Sequence, residues 1–260
     1  MRDFLNQWMP PDYSAHGYQV DNLIVAVHWL MLILFVFWGA YFLYVLYRFN
    51  AKRNAKPTYH GMQSHWSTWG EAGVAVVEVV LLAGFSIPAW SHWAAPIIET
   101  GQGKPVEVRI VAEQFAWNAH YPGPDGIFGK RDAKLVTSTN PLGLDLSDPH
   151  AKDDIVSINN LHLEANRPAL IHISSKDVIH SFKLPVMRVE QDAIPGMEVP
   201  IHFTPIRANN GEQWEIACAQ LCGLGHYRMR GQLYVDSKTD FAKWEAQQAP
   251  HNSRAAALGK

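Results

Sequence analysis

From Leu23 to Tyr47 the chain carries no charged residue, reading Leu-Ile-Val-Ala-Val-His-Trp-Leu-Met-Leu-Ile-Leu-Phe-Val-Phe-Trp and onward in the same manner. At about 1.5 Å of rise per residue, such a run crosses the roughly 30 Å hydrocarbon layer of a bilayer. It is predicted to be a transmembrane helix bounded by residues 23–48, with His28 near an interface. Because lipid offers no partner to backbone polar groups, the rest of the chain must stay out of that layer or cross it as a further helix.

A second apolar run, from Trp69 to Trp93, supplies that further helix. Between the runs stand Arg48, Lys52, Arg53 and Lys56, with no acidic residue before Glu71. An excess of Lys and Arg marks a cytoplasmic loop, so residues 49–68 are expected inside and both termini outside. Residues 1–22 are polar, contain Pro10-Pro11, lack the features of a signal peptide and are read as an external lead-in. Glu71 and Glu78 lie seven positions apart in the 69–93 span, near one helical face. A carboxylate within a bilayer is costly and points to a functional or partner-facing role.

Beyond residue 94 the sequence is of ordinary soluble composition. The whole chain is only 18% charged with a net charge of -2, which excludes a nucleic acid as partner, and its 10 Trp suit contact with a lipid interface. Val106 to Ala112 alternates with period two, as a strand does. Short strand-like runs then recur at Ile155–Ile158, Pro168–Ser174, Val178–Leu184, Glu198–Thr204, Gln213–Ala217 and Gly231–Val235. Regular short strands between turn signals predict a β-sandwich over residues 94–238. Residues 122–154, rich in Gly, Pro, Asp and Lys, read as an insertion loop without periodicity. Residues 239–260 are expected to form a short amphipathic helix, to 248, and a frayed tail.

The chemistry concentrates in Cys218-Ala-Gln-Leu-Cys222-Gly-Leu-Gly-His226-Tyr-Arg-Met229, which holds both cysteines of the chain. Thiolate, imidazole and thioether form a soft ligand set suited to copper. A mononuclear blue-copper site would need one Cys and two His, whereas two thiolates on one loop can bridge a pair of ions. His180, in Asp177-Val-Ile-His-Ser-Phe182, is the best candidate for a second imidazole. A Cys218–Cys222 disulfide and a zinc site remain alternatives, although so short a loop is rarely shaped for the first and Met is seldom a ligand in the second.

These motifs together resemble subunit II of the haem-copper (cytochrome c) oxidases, whose pattern of His-Ser-aromatic followed by Cys-x-x-x-Cys-Gly-x-x-His-x-x-Met is met at His180, Cys218, Cys222, His226 and Met229. The resemblance covers nearly the whole chain. It implies a two-helix transmembrane hairpin, a cupredoxin-like Greek-key sandwich and two copper ions in a dinuclear copper A centre. Cys218 and Cys222 would bridge the coppers, His180 and His226 would bind one each, and Met229 and the Gln220 carbonyl would be weak ligands. Most of the family has Glu at the position of Gln220, where it helps to hold magnesium against subunit I. A neutral amide is a poorer ligand for that hard ion, which leaves magnesium in doubt.

The resemblance also implies roles outside the copper loop. Phe115 and Trp117, in Glu113-Gln-Phe-Ala-Trp, correspond to the aromatic segment through which electrons arrive, with Phe115 where the family has Trp. Glu71, seventeen positions before Pro88, corresponds to the mouth of a proton pathway; Glu78 and Asp192, the latter in Asp-Ala-Ile-Pro-Gly, are candidate contacts with subunit I. The partners implied are subunit I with haem a, haem a3 or its equivalent and the copper B ion, subunit III, and cytochrome c or a cytochrome-bearing complex as donor. The location implied is a bacterial inner membrane with the β-domain in the periplasm, or the mitochondrial counterpart. The competing functions are a membrane-anchored copper carrier and the quinol-oxidase type of subunit II, which has lost the copper ligands.

Overall fold

The computed structural model describes residues 7–56, 59–60, 65–88, 91 and 104–258. The expected outer end of the second span, at 89–90 and 92–93, and the expected start of the external domain, at 94–103, fall outside them. The chain divides into two compact units, one formed by residues 27–98 and the other by residues 1–26 with 99–260.

The smaller unit holds most of the apolar helices. Helix α1 runs over Gly17–Arg48, beginning upstream of the expected residue 23, and α2 over Trp66–Leu81, followed by a π-helical segment at Leu82–Ser86. Two helices, Gly17–Arg48 and Trp66–Gly84, are long and apolar enough to cross a bilayer. Their side chains, from Trp29 to Tyr47 and from Val74 to Leu82, include many large apolar groups exposed in the chain alone. In water such a surface would aggregate; against lipid or a partner helix it costs nothing.

The larger unit is a sandwich of two five-stranded sheets. Its strands are β1 (Val106–Glu113), β2 (Ala116–Tyr121), β3 (Ile155–Ile158), β4 (Asn160–Glu164), β5 (Ala169–Ser175), β6 (His180–Leu184), β7 (Val189–Ala193), β8 (Val199–Phe203), β9 (Trp214–Cys218) and β10 (Arg230–Asp236). The sheet orders are β3-β2-β1-β5-β8 and β4-β10-β9-β6-β7. Strands β1 and β5 pair in parallel, as do β10 and β4, and the remaining neighbours are antiparallel. This is the cupredoxin-like architecture that the sequence led us to expect. Alternation explains the packing: Val108, Ile110 and Ala112 of β1 point inward to meet Phe182, Leu184, Ile216 and Leu233 from the opposite sheet, all fully or nearly fully buried.

Two further segments join this unit. Residues 13–15 are strapped to it: Tyr13 donates its N–H to the Val186 carbonyl at 2.8 Å, Ala15 donates to the Thr204 carbonyl at 2.9 Å, and the Tyr13 ring stacks on Trp214 at 4.7 Å. Arg188 then grips Asp21, in the first turns of α1, through Nε at 2.7 Å and Nη2 at 3.2 Å. At the other end, α3 (Lys238–Leu258) continues through residues where a frayed tail was expected. Its Trp244 stacks on His162 at 4.3 Å.

The 122–154 insertion is built on a buried pair. His120 Nε2 and Asp154 Oδ2 meet at 2.7 Å with both side chains fully enclosed, and the same carboxylate oxygen accepts the Gly129 N–H at 2.9 Å. An isolated antiparallel bridge between Arg131 and Leu144, and a small core of Val111, Leu142 and Leu144, hold the insertion on the outer face of the first sheet.

Candidate metal centre

Strand pairing brings the two halves of the motif together. In the β6–β9 ladder Phe182 lies opposite Cys218, so His180 at the start of β6 arrives beside the loop that follows β9. The Ala219 N–H bonds to the Ser181 carbonyl at 3.0 Å and fixes this approach. The loop then tightens through hydrogen bonds from His226 N–H to Gly223 and from Met229 N–H to His226, with a 3-10 turn at His226–Arg228.

Two glycines let the loop pass beneath Phe115. Gly223 has φ of +129°, and a Cβ there would lie 2.7 Å from the Gln114 side-chain nitrogen. A Cβ at Gly225 would lie 2.4 Å from the Phe115 ring. The aromatic turn after β1 therefore sits directly on the loop. Phe115 stays 38% exposed, whereas Trp117 is buried, edge-on to His180 with ring centroids 6.1 Å apart.

Six donor atoms converge. His180 Nδ1 is 3.1 Å from Met229 Sδ and 3.9 Å from Cys218 Sγ. Cys218 Sγ is 3.2 Å from the Gln220 carbonyl oxygen and 3.8 Å from Cys222 Sγ. Cys222 Sγ in turn lies 3.6 Å from His226 Nδ1 and 3.7 Å from Met229 Sδ. Nitrogen and sulfur ligands sharing a tetrahedral ion at usual bond lengths stand about 3.3–3.8 Å apart. The separation of the two sulfurs is far beyond the roughly 2.05 Å of a disulfide, and both cysteines are free. His180, Cys218 and Cys222 form a metal-competent group among the described residues.

The electrostatics agree with a site for a cation. Burial, together with the adjacent Cys218, pushes the Cys222 thiol up to about 11. The Cys222 thiol in this setting stays protonated on its own, and a bound metal ion reverses that by stabilising the thiolate. The thioether among the donors favours copper over zinc. His180, Cys222 and Met229 are buried, Cys218 and His226 are half-buried, and Gln220 is exposed.

Two positioning residues were not singled out from the sequence. Asp177 Oδ1 lies 2.9 Å from His180 Nε2, which fixes the ring so that Nδ1 faces the sulfurs. Its other oxygen accepts the Gln114 N–H at 2.7 Å, while Gln114 Nε2 donates to the Cys222 carbonyl at 2.6 Å. Burial would raise the Asp177 carboxyl, but the hydrogen bonds from His180, Gln114 and Val178 outweigh it and hold the group below its ordinary value. The available signal was positional: Asp177 stands three residues before His180, and Gln114 adjoins Phe115.

The remaining candidates are not among these donors. Asp192 is exposed on β7, opposite Ser181 in the ladder. Glu71 and Glu78 are exposed on α2.

Comparison with known proteins bears on the same motifs. Residues 107–234 match the family profile described as cytochrome c oxidase subunit II, periplasmic domain. The alternative cytochrome c oxidase subunit 2 of Bradyrhizobium diazoefficiens is 31% identical over 242 residues, covering 93% of this chain and 84% of that protein. Cytochrome c oxidase subunit 2 of Cereibacter sphaeroides is 25% identical over 260 residues, covering 90% and 80%. Among solved structures, the periplasmic domain of subunit II of the Bradyrhizobium japonicum cytochrome oxidase aligns with a TM-score of 0.42 and 23% identity, over 58% of this chain and 98% of that one. With the 31% identical Bradyrhizobium diazoefficiens relative matched along most of both lengths, and His180, Cys218, Cys222, His226 and Met229 gathered beside one another in a cupredoxin-like sandwich, the chain belongs to the cytochrome c oxidase subunit II family.

Proposed function

We propose that this chain is the electron-accepting subunit of a respiratory haem-copper oxidase and that it holds two copper ions. The observation carrying this reading is the convergence of His180, Cys218, the Gln220 carbonyl, Cys222, His226 and Met229 at ligand-to-ligand spacings. Cys218 and Cys222 would hold the copper ions through their thiolates and His180 and His226 through their imidazoles, with Met229 and the Gln220 carbonyl as weaker ligands. When bound, the copper pair supplies a one-electron carrier whose charge is shared between two metals.

The chain's own residues do the rest. Buried Trp117 and Phe182 keep water from the inner side of the donors. Asp177 holds the His180 tautomer, and Gln114 ties the loop to the aromatic turn. A rigid ligand frame changes little between redox states, which keeps electron transfer fast. Phe115, half-exposed over the loop, is the group an external donor would meet. The donor in this reading is cytochrome c or a cytochrome-bearing complex.

Electrons would pass onward to haem a in subunit I, where oxygen is reduced to water and protons are pumped. In this reading α1 and α2 anchor the chain beside subunit I, with the sandwich on the periplasmic side. Glu71 would stand at a proton pathway's mouth, and Glu78 and Asp192 would face subunit I. Gln220 makes a magnesium ion at that interface doubtful.

Metal analysis of the purified full chain after copper reconstitution tests the proposal. The expected content is two copper ions per chain, falling sharply in Cys218→Ser and Cys222→Ser. One copper per chain, or a preference for zinc, would overturn it.

A further inference from the structure

The insertion forms a cleft of about 710 Å³ against the outer face of β1, walled on its apolar side by Val111, Phe128, Val136 and Leu142. It lies on the sheet that contributes no metal ligand. No acidic side chain lines it, while Arg109, Lys130, Arg131 and Lys176 all do. Lys176 is already occupied, pairing with Glu113 and donating to the Pro141 carbonyl, and Lys130 acts through space on Asp145 and Asp148.

The two arginines are different. Their side chains are only 26% and 28% exposed, and the carboxylate between them, Glu198, stands 3.7 Å from Arg109 Nε and 3.9 Å from Arg131 Nη2. Those distances are too long for hydrogen bonds. Glu198 is also shared with His172, at 3.4 Å, and His172 is held by Glu107 at 3.0 Å. Asp154 acts on Arg131 through space, but its carboxylate is already engaged by His120 and Gly129. Arg109 Nε is enclosed without a hydrogen-bond partner among the described residues. The Arg109 guanidinium lies over the Phe128 ring at 4.0 Å, and both residues line the cleft. Burial, with Arg109 beside it, holds the Arg131 guanidinium below its ordinary value.

Two half-buried guanidiniums that share one carboxylate at ion-pair distance, without a hydrogen bond to it, keep donor capacity for a further anion. A carboxylate or similar oxyanion matches the paired donors of a guanidinium, and the apolar wall of Val111, Phe128, Val136 and Leu142 suits a hydrocarbon body. The volume is that of a small-molecule pocket. We propose that the insertion builds a binding site for a small amphiphilic anion, with its acid group on the cleft side of Arg109 and Arg131, away from Glu198, and its apolar body against Phe128, Val136 and Leu142. The same chemistry is found in a soluble organic acid and in the head of an anionic lipid.

Fluorine NMR of 4-(trifluoromethyl)benzoate, titrated into the full chain in nanodiscs of zwitterionic lipid, tests the site, with 4-(trifluoromethyl)benzyl alcohol as neutral control and empty nanodiscs as blank. Saturable binding of the benzoate alone is expected. It should weaken at least about tenfold in Arg109→Gln/Arg131→Gln. Val136→Trp, which keeps both arginines and fills the cleft, should weaken it similarly, and unfolding curves report whether each variant is folded. Equal binding of the neutral probe, no saturable binding, or unchanged binding in folded variants would overturn the proposal. Displacement of the benzoate on adding phosphatidylglycerol to the discs assigns the site to a lipid head, and retention assigns it to a soluble acid; either result upholds the anion site.

Discussion

Gly225 carries a testable constraint at the smallest scale. A methyl group at this position would overlap the Phe115 ring, whose nearest atom would be 2.4 Å away. Phe115 is partly exposed and can swing outward, so Gly225→Ala should cost about 1–3 kcal/mol rather than abolish folding. Urea unfolding reads the loss, and an unchanged midpoint would contradict the stacking of the aromatic turn on the loop. The donors on the loop itself were legible from the sequence because Cys218, Cys222, His226 and Met229 lie within one short stretch. His180 was legible only through a motif at a distance, and the Phe182–Cys218 pairing supplies the physical link. Gln114 and Asp177 escaped because each acts through a hydrogen bond made across the fold, which spacing along the chain does not encode.

Individual elements carry two further predictions. His120 is held neutral chiefly by burial, its pKa lowered despite the hydrogen bond and attraction of Asp154. With the folded value below the unfolded one, its contribution to stability is complete above the ordinary histidine range, near 6.5, and is lost as pH falls toward the folded value. His150, raised by Asp125, contributes in the opposite sense but is exposed and screened by solvent. Mild acidification should therefore loosen the 122–154 insertion first, seen as faster amide hydrogen exchange there, and His120→Asn should flatten that pH response. Uniform exchange down to pH 5 would contradict it. In the sandwich core, Phe182 packs edge-on against Trp117 at 5.4 Å, and Phe182→Ala should cost about 3–5 kcal/mol by thermal or urea unfolding. Strands such as β1 and β5 were readable because inward and outward residues alternate. Strand β7 was not, since an edge strand reading Val-Glu-Gln-Asp-Ala has little apolar pattern to show. The helix over the C-terminal residues was hidden by Pro250, which reads as a terminator.

At the scale of the whole molecule, the segment before α1 is part of the sandwich unit. Its polar sequence suggested only a lead-in, because the contacts that order it are made with residues some two hundred positions away. Arg188 and Asp21 have side chains only 8% and 15% exposed, so Arg188→Ala would leave a nearly buried carboxylate unpaired. A loss of about 2–3 kcal/mol is expected, with faster exchange or proteolysis at residues 8–16. Intact protection of that segment in the variant would show that the strap does not depend on the ion pair. The two apolar helices and the basic loop between them were plain from composition alone, since charge exclusion over such lengths has few other causes.

The most direct measurement is electron paramagnetic resonance of the copper-reconstituted full chain. One unpaired electron shared equally over two copper nuclei of spin 3/2 gives a seven-line hyperfine pattern, and the proposed assignment predicts that pattern, lost in Cys218→Ser. A four-line pattern from a single copper, or no copper signal with both thiols still free, would contradict it.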